Sequence, residues 1–107
     1  MSYLLTISTC PDPETAERLG AALLERHLIA CVNILPGAVS MYEWKGKVER
    51  DQECILLMKT RADAFEQLQQ AVVELHPYEL PEVIAVPIEQ GLAGYLSWID
   101  EQVDKKQ

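Results

Sequence analysis

The chain has 107 residues, 49% of them hydrophobic, and a formal net charge of −8, which fits one compact domain over residues 1–107 with limited surface burial. Nine basic against seventeen acidic side chains repel phosphate backbones and anionic membranes, arguing against nucleic-acid and membrane partners and weakly favouring cations. Cys10, Cys31 and Cys54 are odd in number and contain no CxxC, so they read as reduced thiols in a cytoplasmic protein rather than a secreted disulfide scaffold.

Residues 3–9, YLLTIST, are apolar and β-branched and predict the first strand. The N-terminus has no basic start, and its apolar run is too short for a signal peptide or a membrane span. Asp12-Pro13 predicts a helix start, with Ala16, Leu19, Gly20, Leu23 and His27 on one face. Residues 31–44 and 47–59 predict two long strands around a tight turn at Lys45-Gly46. Residues 60–63, Thr-Arg-Ala-Asp, resemble a capping box for a second helix, whose stripe is Phe65, Leu68, Val72 and Leu75. His76-Pro77 ends that helix. Residues 83–88 predict a fourth strand. Leu92, Tyr95, Leu96, Ile99 and Val103 make the stripe of a C-terminal helix, with Trp98 off it and a polar tail over residues 104–107.

The order is α+β: a ferredoxin-like βαββαβ sandwich with an extended β2-β3 hairpin and a C-terminal helix. Strands one and three should be central, which leaves Pro36 and Pro87 on edge strands. Mean strands run to about 5–6 residues, so the hairpin is too long for one small domain to cover. It should pair with copies of the same chain.

This topology places Ser8, Cys10, Trp44, Lys47, His76, Tyr78 and Glu79 at one end of the subunit. Tyr42 and Trp44 share a strand face, with Lys47 and Glu49 opposite. Glu53 and Lys59 share a face of the third strand. Tyr42, Trp44, Glu53, Lys59 and Tyr78 are candidate residues of a ligand cleft between subunits, against the alternative of hairpin packing. His76 and Cys10 are candidate metal ligands, against the alternatives of a helix cap and a small core residue. Catalysis finds no motif. The loop after the first strand, Thr9-Cys10-Pro11-Asp12, has no Arg to cradle a phosphate. The third strand lacks the basic face and the aromatic residues of an RNA-binding sheet.

Several motifs together carry a resemblance. They are Thr9 with Pro11-Asp12, Ala30-Cys31-Val32-Asn33 leading to Pro36-Gly37, and Ser40-x-Tyr42-x-Trp44-x-Gly46. Glu53 through Lys59-Thr60, His76-Pro77-Tyr78-Glu79 with Pro81-Glu82, Pro87-Ile88 and Tyr95-Leu96-x-Trp98 continue it. In order and spacing the chain resembles the CutA divalent-ion tolerance family. The resemblance implies a homotrimer whose hairpins pair across subunits, similar to PII signalling proteins, and a role in divalent-metal tolerance. The copper ligands ascribed to the family map to Ser8, Leu75 and His76, so only His76 keeps a ligand side chain. Two functional readings follow: a metal-tolerance protein binding divalent cations weakly, and a PII-like module sensing a small molecule in clefts between subunits.

Overall fold

The structure, a computed structural model, describes residues 2–104; of the polar tail expected over residues 104–107, all but Asp104 lies outside the described residues. The elements are β1 (Tyr3–Cys10), α1 (Pro13–Glu25), β2 (Cys31–Trp44), β3 (Lys47–Arg61), a 3-10 turn (Ala62–Ala64), α2 (Phe65–Leu75), β4 (Ile84–Ile88) and α3 (Ala93–Val103). The strands form one antiparallel sheet in the order β2-β3-β1-β4. The ferredoxin-like order is as expected, with β1 and β3 central and both strand prolines on edges, where a missing N–H costs no ladder bond.

Asp12 caps α1. The Thr15 N–H donates to its Oδ1 at 2.8 Å and holds the carboxyl below its usual range. Ala16, Leu19, Gly20 and Leu23 are buried. The helix stops at Glu25, short of His27, which takes a φ of 57° and donates its N–H to the Leu24 carbonyl at 3.0 Å. His27 is therefore a left-handed C-terminal cap rather than the last residue of the stripe.

The expected capping box does not form. Thr60 and Arg61 extend β3, paired with Leu4 and Tyr3, and the Thr60 hydroxyl donates to the Leu28 carbonyl at 2.7 Å. Ladder pairing satisfies their backbone groups and outcompetes a local cap. Leu68, Ala71 and Val72 are the buried residues of α2, whereas Leu75 is 38% exposed.

Alternation along the strands puts Cys10, Cys54, Leu56 and Met58 under α1 and α2, where they pack with Leu23, Leu68 and Val72. Thr6 and Ser8 are fully buried there too, and among the described residues neither hydroxyl has a hydrogen-bond partner. An unsatisfied buried hydroxyl costs stability that an apolar replacement recovers. Ser8→Ala is expected to raise unfolding free energy by about 1 kcal/mol, read as a higher urea midpoint. An unchanged or lower midpoint would show that the hydroxyl is satisfied in solution.

α3 packs Ile99 and Val103 against Ala30 and Ala64, with Tyr3 and Leu96 partly buried alongside. It covers only one end of the sheet, so Leu92 and Tyr95, expected in its stripe, remain exposed. Trp98, off the stripe as expected, is also exposed and stacks obliquely on Tyr95 at 5.5 Å.

The hairpin decides the outline of the molecule. β1 pairs with β3 only as far as Cys10 opposite Cys54. Beyond it, residues 38–44 and 47–53 form a ribbon of two strands alone, about 20 Å long at about 3.3 Å per residue. The principal extents are accordingly 44 × 28 × 21 Å. Lys45 and Gly46 both have positive φ, 54° and 84°, as a two-residue hairpin turn between Trp44 and Lys47 requires.

Candidate functional site

Pro36-Gly37 positions the site. The β2 register shifts between Leu35 and Ala38, so Leu35 pairs with Ile55 and Ala38 with Glu53. Two residues of β2 are passed over where β3 has only Cys54, which changes the parity of β2. Cys31 and Asn33 before the bulge therefore share a sheet face with Ser40 and Tyr42 after it, along with Glu53, Lys59 and Thr9. Without the bulge, Tyr42 and Trp44 would point to the opposite face from Glu53.

At the end of the sheet this face opens into a cavity of about 550 Å³. Ser40, Tyr42 and Trp44 line it from the hairpin, and Thr9 and Glu53 from the central strands. Tyr78, Glu79, Leu80 and Glu82 close it from the segment before β4. Of the five residues expected in a cleft, Tyr42, Trp44, Glu53 and Tyr78 are brought together within one subunit. Lys59 is not. It stands six residues along β3 from Glu53, about 20 Å at about 3.3 Å per residue. There its ammonium donates to Asn33 Oδ1 and approaches Cys31 Sγ at 3.6 Å.

Hydrogen bonds fix the cavity wall. The Tyr78 hydroxyl donates to Glu53 Oε2 at 2.6 Å, and the Tyr42 hydroxyl donates to Asp51 Oδ2 at 2.7 Å. Burial and then the Glu53 bond raise the Tyr78 pKa above its usual value, and the Asp51 bond pushes Tyr42 up to about 12. Both phenols are thus fixed donors to carboxylates. Asp51 was not singled out in the sequence. Its signal was the register, because Ser40 faces Asp51 and Tyr42 lies two residues beyond on the same face.

His76 and Cys10 lie behind this wall, on the helix side. The Tyr78 N–H donates to His76 Nδ1 at 3.1 Å, so Nε2 carries the proton and donates to the Thr9 carbonyl at 2.6 Å. The ring is 4.7 Å from that of Tyr78. His76 therefore ties the end of β1 to the turn that aims Tyr78 at Glu53. Cys10 Sγ is 3.7 Å from His76 Nε2. Burial, and then the thiol of Cys54 directly across the ladder, push Cys10 up to about 11. A tight, preformed metal centre does not fit these donors. Both imidazole nitrogens are engaged with backbone, the thiol resists ionisation, and among the described residues no three His, Cys, Asp or Glu side chains are grouped to hold an ion.

A family model described as CutA1 divalent ion tolerance protein matches residues 4–102. The chain belongs to the CutA1 family. It is 46% identical over 97 residues to the divalent-cation tolerance protein CutA of Thermus thermophilus, covering 91% of this chain and 94% of that one. It is 45% identical over 91 residues to human protein CutA, covering 85% of this chain and 51% of the human one. The chain thus spans about half the length of that relative, and 63% of the Xenopus laevis CutA homologue. Among solved structures it is similar to CutA from Xylella fastidiosa, with a TM-score of 0.94 and 46% identity over 97% of this chain and 100% of that one. It also resembles the periplasmic divalent cation tolerance protein CutA of Archaeoglobus fulgidus, with a TM-score of 0.92 and 42% identity over 94% and 98% of the two chains. The ferredoxin-like CutA1 fold, with its long hairpin, is therefore this chain's fold.

Proposed function

We propose that this chain forms a homotrimer that serves divalent-ion tolerance in the cytoplasm by binding rather than by catalysis. The observation that carries the assembly is the two-stranded ribbon. An isolated hairpin is marginal in water, yet this one presents Val39, Met41 and Val48 at 49%, 66% and 73% exposure. Ile84 and Val86 on the short edge strand β4 are likewise exposed. Ribbon and edge complement each other, and copies of one chain supply both. Three unpaired cysteines, Cys10, Cys31 and Cys54, support a reducing compartment. Among the described residues no helix is long and apolar enough to cross a membrane. Sedimentation velocity at micromolar concentration tests the assembly, and a stable monomer would overturn it.

The metal part of this reading is weak binding of copper or another divalent cation at His76 and Cys10. Binding there must turn the imidazole from its backbone partners and remove the thiol proton. Because one proton is released, affinity should rise by up to about tenfold per pH unit while the pH stays below the thiol pKa of about 11. Calorimetry with copper and with zinc is expected to give affinities that rise with pH and fall in His76→Ala and Cys10→Ser. Equal binding by both variants and the wild type would place the ion elsewhere.

The cavity favours a second reading, a PII-like module that holds a small molecule where subunits meet. Its volume, about 550 Å³, lies within the range of small-molecule sites. Its walls are aromatic and hydrogen-bonded in place.

A further inference from the structure

The second reading leaves the ligand open, and the chemistry of the cavity wall narrows it. We infer that the cavity takes an organic ammonium cation with an apolar body, its charge against Glu53 and its body against Tyr42, Trp44 and Leu80. The inference rests on the second reading above and names its ligand class.

Sign comes first. Glu53, Glu79 and Glu82 all line the cavity, and among the described residues no Lys, Arg or His does. A nucleotide or carboxylate metabolite would meet carboxylates with no compensating charge.

Glu53 supplies a second, independent observation. It is only 6% exposed. Its Oε2 accepts the Tyr78 hydroxyl, and among the described residues no basic nitrogen lies within 4.0 Å of its carboxylate. A buried carboxylate lacking a cation is costly. The phenolic protons of Tyr42 and Tyr78 are already committed to Asp51 and Glu53. The wall therefore offers acceptors and needs a donor, which an ammonium group supplies threefold.

The aromatic lining separates an organic cation from a bare metal ion. A hard divalent ion wants six to eight oxygen ligands and gains little from Trp44 or Leu80. An alkylammonium gains from both, through cation–π attraction and burial. The Trp44 ring already attracts such a charge, since the Lys45 ammonium lies 5.8 Å from its centroid.

The test uses the full chain with 2-phenylethylamine, a cation at neutral pH, and its neutral analogue 2-phenylethanol. Calorimetry reads binding, and sedimentation of the same samples reads assembly. Saturable binding of the amine is expected, with the alcohol at least about tenfold weaker. Glu53→Gln is expected to weaken the amine at least about tenfold while the trimer persists, a tenfold change being about 1.4 kcal/mol. Should Glu53→Gln fail to fold, Leu80→Ala keeps the test, because residue 80 is exposed and its truncation leaves the core intact while removing part of the apolar wall that holds the amine's body. Three results overturn the inference: no saturable amine binding up to about 10 mM, equal affinity for amine and alcohol, or unchanged amine affinity in the folded variant. A trimer indifferent to the amine overturns only this ligand. A monomer overturns the assembly reading, whatever the amine does.

Discussion

Arg61→Met is expected to lower the unfolding free energy by about 3 kcal/mol, the low end for removing one partner of a buried ion pair. The Arg61 side chain is 6% exposed and pairs with Asp63, Asp100 and Asp104 at 3.0, 3.3 and 2.6 Å. Asp100 in turn accepts the Tyr3 hydroxyl at 2.8 Å. One guanidinium thus joins the end of β3, the turn after it, the start of β1 and α3. Burial pulls the Arg61 pKa down, but hydrogen bonds to Asp63, Asp104 and Asp100 outweigh it and raise the value overall. The charge is therefore permanent at any working pH. Removing it leaves three carboxylates facing one another, while the methionine keeps an apolar stem in the packing. Their side chains are 50%, 30% and 59% exposed, so water relieves part of the repulsion and the cost stays at the low end. Asp63→Asn removes a half-exposed partner and leaves Arg61 two others, so its cost should stay below about 1 kcal/mol. Urea unfolding at one fixed protein concentration measures both. Equal losses in the two variants would show that the Arg61 bonds to Asp100 and Asp104 add nothing to the hold on α3.

This cluster also shows where the sequence could be read and where it could not. Periodicity located all four strands and three helices, because stripes such as Leu19 with Leu23 and Leu68 with Val72 are set by one apolar face. The central and edge strands followed from the βαββαβ order and the two prolines. At element ends, long-range pairing decides, and local patterns misled. Thr60 and Arg61 looked like a cap because cap chemistry is local, whereas their partners, Leu4 and Tyr3, lie at the far end of the chain. Leu92 and Tyr95 follow the helical period, but α3 meets only the last residues of the sheet.

The site was half legible for the same reason. Trp44 and Tyr78 could be placed at one end by topology, whereas Tyr42 and Glu53 entered only as candidate residues of a cleft. Their convergence depends on the parity change at Pro36-Gly37, whose size the sequence does not state. His76 was legible as a helix terminus near Cys10. Its role in holding Tyr78 depends on two backbone groups, the Thr9 carbonyl and the Tyr78 N–H, which no side-chain pattern announces.

Trp44→Ala should separate the two uses of the hairpin. In one subunit the indole is 38% exposed at the tip of an unsupported ribbon, and it also lines the cavity. If a neighbouring subunit covers it, truncation removes an interface anchor. Such anchors contribute about 2 kcal/mol or more each, so losing three of them over two association steps should raise the concentration at which the trimer dissociates by on the order of 100-fold. The fold of the subunit should persist, because the buried core under α1 and α2 does not include residue 44. Sedimentation across a dilution series, with circular dichroism on the same samples, reads the two effects apart. Trp98→Ala serves as the comparison. Its ring is also partly exposed, but it leans on Tyr95 at the opposite end of the sheet from the hairpin tip. A larger loss of assembly in Trp44→Ala than in Trp98→Ala assigns the contact to the ribbon. Unchanged assembly in Trp44→Ala would instead make the indole a wall of the cavity alone, and its truncation should then weaken 2-phenylethylamine without moving the dissociation of the trimer.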